Sequence, residues 1–139
     1  MASIAVQLAD EVAARLNGQT VGSTTIPCVR LLIADLKLAS VKNLRTIAVP
    51  HSLESKIIDR GGRKERIVRV DVGIMKRAAE SELDSLLDLT QTIGDLLEGF
   101  SFTSGRCVEV SYAPLYDSEI WLQQHCFFAV IVAKIKVIS

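Results

Sequence analysis

The chain has 139 residues, and its 16 basic residues balance its 16 acidic residues. This length is typical of one domain that forms a hydrophobic core without disulfides or metals. The zero net charge argues against a protein that coats nucleic acid over its whole surface, although it leaves room for a local basic face. We therefore expect a single domain over residues 1–139.

Three cysteines lie in apolar runs, at Cys28, Cys107 and Cys126. They cannot all pair with one another, and their surroundings favour buried, reduced thiols and a cytosolic folding environment. Residues 1–16 lack a basic segment and contain two acids, so they do not indicate a secretory signal. Because no window approaches the ~20 apolar residues of a membrane span, we expect no membrane contact.

The first part of the chain is predicted to contain one helix and two strands. Apolar residues at three- and four-residue spacing indicate the helix, whose stripe is mostly alanine. Asn17-Gly18 supplies its end and Pro50 the end of the second strand. The predicted elements are a helix over 3–16, a polar loop over 19–25, a strand over 26–34, a turn region at 40–43 and a strand over 45–49.

A long β-hairpin is predicted next, with arms Leu53–Arg60 and Arg63–Met75 joined by Gly61-Gly62. Two glycines can supply the positive φ angles that a two-residue hairpin turn requires. The return arm alternates apolar and polar residues, which predicts one buried and one solvated face. Near the tip the apolar pattern fades, so we expect the arms to project beyond the core there.

Charges are sorted into two opposed blocks around this hairpin. Residues 56–77 hold eight bases and three acids, a net charge of +5, whereas residues 78–105 hold six acids and no Lys or Arg. Opposed patches favour head-to-tail contact between identical copies. The candidate interface residues are Arg60, Arg63, Lys64, Arg66 and Arg69 on the basic hairpin, and Glu80, Glu82, Asp84, Asp88 and Asp95 on the acidic segment.

The acidic segment is predicted to form a helix that begins at Ser81 and ends at Gly99, with its acids crowded into the first turn. Its predicted buried stripe is Leu83, Leu86, Leu87, Thr90, Ile93, Gly94 and Leu97. A strand over Cys107–Tyr112, a loop over 113–119 and one long final strand from about Trp121 to Ile138 complete the chain. This order predicts an α/β (α+β) fold, with one mixed, mainly antiparallel sheet packed against two helices.

Catalytic or metal-binding chemistry has little support in the sequence. His125 beside Cys126, or with Cys107, could form a metal site or a Cys–His pair, but adjacent strand residues point to opposite faces. The remaining histidine, His51, follows Pro50. The paired carboxylates of the acidic segment fit a solvated helix face better than an acid/base pair. We expect no catalytic residue, no metal, no cofactor and no enzymatic activity.

The basic hairpin has three interpretations. Its tip could be a solvated feature with no role. It could contact nucleic acid, because phosphate binding needs only Lys and Arg, although no aromatic residue is interleaved for base stacking. It could instead be a protein interface or line a ring, an interpretation that the neighbouring acidic helix favours because it supplies a complementary surface.

In combination, these features resemble the tail-terminator (tail-completion) proteins of long-tailed phages, of the lambda minor tail protein U type. The resemblance covers nearly the full length. It is carried by the N-terminal amphipathic helix, Leu36-x-Leu38 with Leu44-x-x-x-x-Val49-Pro50, Arg60-Gly61-Gly62-Arg63, the strand end Val70-Asp71-Val72-Gly73-Ile74-x-Lys76-Arg77, the acidic helix and the long apolar C-terminal strand.

This resemblance implies a small α/β domain that assembles as a six-membered ring. Such a ring sits on the last ring of the tail tube, stops tube growth and offers a surface to the head-side connector. The implied partners are other copies of the chain, the tail-tube protein, the connector or neck protein, and passing double-stranded DNA contacted without sequence specificity. The implied location is the virion, after synthesis in the host cytoplasm.

Two other functions stay open at this point. The chain could be a head-completion or connector-adaptor protein of the phage neck, which binds DNA-filled heads rather than tail tubes. It could also be a DNA-binding module that uses the basic hairpin.

Overall fold

The computed structural model describes residues 3–32 and 43–138. The predicted turn region at 40–43 lies almost wholly outside these residues, as do the end of the predicted strand over 26–34 and the Leu36-x-Leu38 pattern. The helices are α1 (Ile4–Leu16), α2 (Leu83–Leu97) and α3 (Ser118–Gln124). The strands are β1 (Thr20–Val21), β2 (Thr24–Thr25), β3 (Cys28–Arg30), β4 (Arg45–Ile57), β5 (Lys64–Arg77), β6 (Arg106–Tyr112) and β7 (Cys126–Ile138).

Five strands form the main sheet in the order β3-β4-β5-β7-β6. β3 runs parallel to β4, and every other neighbouring pair is antiparallel. β1 and β2 pair separately within the segment predicted as a polar loop. The predicted α+β class with a mixed, mainly antiparallel sheet is confirmed, and α3 is an additional helix.

One face of the sheet, here called the helix-covered face, packs against α1 and α2. On β5 this face presents Val68, Val70, Val72 and Ile74, all fully buried. β7 presents its odd-numbered residues from Phe127 to Val137 to the same core. Burying one such side chain stabilises the fold by roughly 1.5–3 kcal/mol, so this double layer is the main source of stability. β5 and β7 pair from Glu65–Ile138 to Arg77–Cys126. Both have a neighbouring strand on each side, so they are interior strands of the sheet.

The predicted first helix is confirmed. Ser3 caps α1, since its Oγ accepts a hydrogen bond from the Val6 N–H at 3.3 Å. Beyond the helix, the Asn17 Oδ1 accepts from the Cys28 N–H at 3.1 Å. This bond ties the end of α1 to the start of β3, so α1 lies across the β3 and β4 side of the sheet.

The prediction that Pro50 ends a strand is wrong. β4 continues through Pro50 to Ile57, with a register shift between Pro50 and Ser52 that leaves His51 as an extra residue. Proline is tolerated there because, among the described residues, β3 pairs with β4 only over residues 46–48 and no strand pairs with the outer side of Pro50. The predicted hairpin arm from Leu53 is therefore the second half of one long strand.

The predicted two-residue Gly61-Gly62 turn is also wrong. The Ile58 N–H donates to the Arg63 carbonyl at 2.9 Å, which closes a four-residue loop from Asp59 to Gly62. Of the two glycines in this loop, only Gly62 has a positive φ, +82°. The Asp59 carboxylate fixes the loop because its Oδ1 accepts from the Arg63 N–H at 3.1 Å.

The C-terminal prediction is partly wrong, because residues 118–124 form α3 rather than a loop and the start of a strand. The Asp117 carboxylate accepts from the Ile120 N–H at 3.1 Å and begins this helix. His125 ends it in the left-handed conformation, with φ 52°. The final strand therefore begins at Cys126, and His125 lies outside it.

α2 begins two residues later than predicted, after a turn of 3-10 helix over Glu80–Glu82. The Glu82 side chain, not Asp84, closes the start, because its Oε1 accepts from the Ala79 N–H at 3.3 Å. Leu89 is buried although the predicted stripe does not include it, and Leu87, which the predicted stripe does include, is half-buried. No helix among the described residues is long and apolar enough to cross a membrane.

Candidate protein-interaction surfaces

The basic candidates of the hairpin lie at three different places. Arg60 and Arg63 lie at the tip, and the Arg63 Nε pairs with the Asp59 Oδ2 at 3.1 Å. Lys64 and Arg66 lie on the helix-covered face, because they are four and two residues before Val68 along β5 and side chains two residues apart share a face. Arg69 lies on the opposite face, where its Nε is 3.3 Å from the Asp71 Oδ1.

The helix-covered face extends beyond the helices at the hairpin. Leu53 and Ile57 on β4 lie on this face, opposite Val68 and Lys64, and are 46% and 68% exposed. Arg66 on β5 is half-buried and lies opposite Ser55, which stands between Leu53 and Ile57 on β4. Within residues 3–32 and 43–138, neither Lys64 nor Arg66 has an ion-pair partner. We call Leu53, Ile57, Lys64 and Arg66 the cationic shelf.

The acidic candidates also separate into two groups. Asp84, Asp88 and Asp95 are exposed along the solvent stripe of α2, as their helical spacing predicts. Glu80 and Glu82 precede the α-helix, and the Glu82 Oε2 pairs with the Lys76 Nζ at 2.9 Å. The Lys76 hydrogen bond, the Ala79 N–H and the Lys76 charge, in that order, lower the pKa of Glu82. The negative charge of Glu82 is thus paired with Lys76 within the monomer.

A shallow groove of about 390 Å³ runs between the solvent stripe of α2 and the end of β6. Burial first, and then the charges of Asp95 and Glu98, raise the pKa of the Tyr112 hydroxyl in its wall. Asp95, Glu98 and Tyr112 line the same groove, so the acidic stripe lies beside the end of β6. We call this feature the acidic groove; it is lined by Leu87, Asp88, Gln91, Asp95, Glu98, Tyr112 and Leu115.

Sequence analysis missed part of the acidic groove. Glu98 belongs to the acidic block but was not a candidate, and Tyr112 and Leu115 carried no signal. Helical spacing from Gln91 and Asp95 could have pointed to Glu98. The contribution of Leu115, which is 50% exposed, depends on the path of the chain after β6, which local patterns do not encode.

α2 approaches β6 closely at Gly94. A Cβ atom at this position would overlap the hydroxyl and ring of Tyr112. The Tyr112 hydroxyl lies 3.4 Å from the carbonyl oxygen of Gln91, to which it donates. Glycine at this position therefore sets the separation between helix and strand and holds the acidic stripe beside the strand edge.

The charges on the opposite face of the sheet are largely paired with one another. His51 Nδ1 lies 2.9 Å from Asp71 Oδ2, and Asp71 also contacts Arg69. Further along, Lys134 pairs with Glu109 at 3.3 Å, and Lys136 with Glu65 at 3.6 Å. The His51–Asp71 contact was missed because it depends on the register shift at His51. On this face, Glu54, Lys56 and Arg106 have no ion-pair partner among the described residues.

The histidine and cysteine pairs considered from the sequence do not form a reactive site. His125 is exposed and packs edge-on against Trp121, with ring centroids 5.4 Å apart. All three cysteines are free and buried, as predicted, and burial raises the pKa of Cys28 to about 12. Within the ranges 3–32 and 43–138, no group of three or more His, Cys, Asp or Glu side chains could hold a metal ion.

A second groove, of about 440 Å³, lies between the β1–β2 turn and α2. Its charged lining includes the Lys76–Glu82 pair and Asp88. The lysine and the glutamate of this lining bond to each other at 2.9 Å.

No protein-family model matches the chain, and a search of curated proteins finds no match.

Proposed function

We propose that the protein is a structural component of a phage virion, a tail terminator that forms a six-membered ring. The ring caps the tail tube and joins it to the head-side connector. One observation carries the proposal: the cationic shelf and the acidic groove are separate, exposed and opposite in charge. Lys64 and Arg66 lack ion-pair partners among the described residues of the monomer, so they are available to another copy.

Two different complementary surfaces favour a ring over a two-fold dimer. A two-fold interface uses the same patch on both copies, whereas a head-to-tail interface joins two different patches and closes when the rotation permits. A contact of shelf with groove is of the second kind. The remaining subunits repeat it until the first and last copies meet.

The charges and the apolar side chains have different parts in this contact. Exposed ion pairs contribute about 0–1 kcal/mol each, so the charges mainly select orientation and speed encounter. Affinity comes from burying the exposed Leu53 and Ile57 of the shelf against Leu87 and Leu115 of the groove. Salt should therefore weaken assembly without abolishing it.

The tip arginines give the ring a second role. Arg60 is exposed at the loop, and Arg63, although paired with Asp59, is 64% exposed. Such side chains can contact the phosphates of passing DNA without reading its sequence. The ends of the ring contact the tail-tube protein and the connector, which places the protein in the virion.

Negative-stain electron microscopy of the purified protein tests the proposal. We expect ring particles at low salt and high protein concentration, and binding of these particles to one end of isolated tail tubes. A protein that stays monomeric under these conditions, both alone and with tail tubes, would contradict the proposed function.

Exposed Arg60 and unpaired Lys64 favour a DNA-binding module as the second candidate. An electrophoretic shift of double-stranded DNA that disappears in the triple variant R63E/K64E/R66E, with no ring formation, would support it. Specific binding to DNA-filled heads rather than tail tubes would instead indicate a head-completion or connector-adaptor protein.

A further inference from the structure

Among the described residues, nothing pairs with the outer edge of β4 along the hairpin. β3 covers β4 only over residues 46–48, and the Leu31 N–H extends this contact by one bond to the Ala48 carbonyl. All residues from His51 to Ile57 are exposed. In the part of the chain that the structure describes, no strand pairs with this half of β4 on its outer side.

Hydrogen-bond alternation shows which backbone groups point outward on β4. The Ile58 N–H bonds to Arg63 on the β5 side, so Ile58 points inward. In an antiparallel pair, residues alternate between pointing toward the partner strand and pointing away from it. Leu53, Ser55 and Ile57 therefore direct their N–H and C=O groups away from β5.

The outer edge of β6 is open over its second half. At its start, the Cys107 N–H and C=O bond to Phe100 and Gly99, which cover that part of the edge. After the register shift between Cys107 and Glu109, the Ala113 N–H bonds inward to the Val130 carbonyl. By the same alternation, Val110 and Tyr112 direct their backbone groups outward, beside the acidic groove.

We infer that copies of this chain join edge to edge, with the outer edge of β4 of one copy hydrogen-bonded to the outer edge of β6 of the next. The inference rests on the proposed self-association and specifies how it is made. The occupant of each edge is a second copy of the chain, because the two edges lie beside surfaces of opposite charge.

Strand direction fits this arrangement. Within the sheet, β4 and β6 run in opposite directions, as the three antiparallel pairings between them require. The strand registers place Leu53 level with Cys107, and Pro50 level with Val110. A neighbouring copy related by rotation about an axis inclined to the strands therefore presents β6 antiparallel to β4 and shifted along it, so that the two open halves meet with the helices of both copies on the same side. Open edges of this kind readily accept a strand from another chain.

Edge pairing also places the charges correctly. The cationic shelf lies on the helix-covered side. Its Leu53 and Ile57 are on the edge strand β4, and its Lys64 and Arg66 are on β5, the next strand in. The acidic groove lies on the same side, directly beside the outer edge of β6. Joining the two edges brings Lys64 and Arg66 of one copy toward Asp95 and Glu98 of the next, so hydrogen bonds set the register and charges select the partner.

Amide hydrogen exchange tests the inference without any substitution. In the monomer, prepared at high salt and low protein concentration, the outward amides of Leu53, Ser55, Ile57, Val110 and Tyr112 should exchange fast. In the assembled particle at low salt, we expect at least a tenfold slowing at these positions. If particles form and these amides still exchange at the monomer rate, edge pairing is overturned and the ring proposal stands.

A proline at Ser55 provides a second test. Ser55→Pro removes an outward N–H but no bond to β5, so the monomer should keep its circular dichroism spectrum while assembly weakens roughly tenfold. Ser55→Ala keeps the N–H and is the matched control, expected to assemble as the wild type does. Equal weakening by both variants, or by neither, would overturn the inference.

Two further outcomes separate this inference from the proposed function. If no particle forms at any salt or protein concentration, nor with tail tubes, the proposed function fails and the inference fails with it. If particles form without tail-tube protein and the outward amides become protected only when tail-tube protein is added, the occupant is not a second copy and the inference alone is overturned.

Discussion

Single residues set the geometry of the acidic groove. Gly94 lets α2 approach β6, and Tyr112 fills the space that a larger residue would take. At the other end of the same helix, the Glu82 carboxylate joins the helix start to Lys76 on β5. These two contacts fix α2 at points along its length, so the acidic stripe has a defined position relative to the strand edge.

Gly94→Ala should destabilise the monomer by about 1–3 kcal/mol, because the added methyl group overlaps the Tyr112 side chain. Urea unfolding followed by circular dichroism measures the change. Tyr112→Phe in the same background should recover part of the loss, since the hydroxyl makes the closest overlap. A fully stable Gly94→Ala variant would show that α2 does not approach β6 this closely.

Glu82→Gln should lower the melting temperature at neutral pH. The folded state lowers the pKa of Glu82 below its ordinary 4.5, so the stabilisation is present above that value and is lost as pH falls through the folded pKa. The difference in melting temperature from the wild type should therefore be constant near neutral pH and shrink below about pH 4.5. Glu80→Gln is the control; a difference that grows in acid would contradict the assigned Lys76 contact.

At the scale of elements, the hairpin divides into a buried half and an exposed half. Ile74 on β5 is fully buried, whereas Ile57 on β4 is 68% exposed although both lie on the helix-covered face. The difference arises because α1 and α2 do not extend over the hairpin. The same strand pair thus serves the core at one end and forms the cationic shelf at the other.

Ile74→Ala and Ile57→Ala should therefore have opposite consequences. Ile74→Ala leaves a cavity and should cost about 2–5 kcal/mol of folding free energy. Ile57→Ala should change monomer stability by less than about 0.5 kcal/mol, yet weaken particle formation. Denaturant unfolding and sedimentation velocity measure the two effects. Comparable destabilisation by both variants would contradict the exposed position of Ile57.

The sequence predicted elements with strong periodicity and failed where a single residue ends or extends an element. α1, α2 and the alternation of β5 followed from apolar spacing. Pro50 was read as an end because its missing N–H usually excludes it from a sheet, but an open edge tolerates it. The apolar residues Ile120 and Trp121 resemble a strand start because they lead directly into the apolar run from Cys126, although the Asp117 cap that makes them helical is a local signal carried by the sequence.

At the scale of the whole molecule, the sequence predicted the sorting of charge but not its final distribution. Charge counts alone cannot show that Arg69 pairs with Asp71, or that Glu82 pairs with Lys76, within the monomer. Those contacts depend on strand register and helix capping. Charge counts also cannot show that Lys64 and Arg66 share a face with exposed apolar residues. Among the described residues, unpaired charges of the two blocks lie on the cationic shelf and in the acidic groove.

A charge-exchange experiment tests the central claim most directly. One variant, K64E/R66E, has an acidic shelf and an acidic groove; the other, D88K/D95K, has a basic shelf and a basic groove. In a mixture, each shelf meets a groove of opposite charge on the other variant, so alternating copies can close a ring with an even number of subunits.

Sedimentation velocity at low salt gives the outcome. We predict that the wild type sediments as a ring, that each variant alone stays monomeric, and that an equimolar mixture of the two sediments as the wild-type ring does. Variants that assemble alone as well as the wild type, or a mixture that stays monomeric beside an assembled wild type, would contradict the claim that the shelf of one copy docks in the groove of the next.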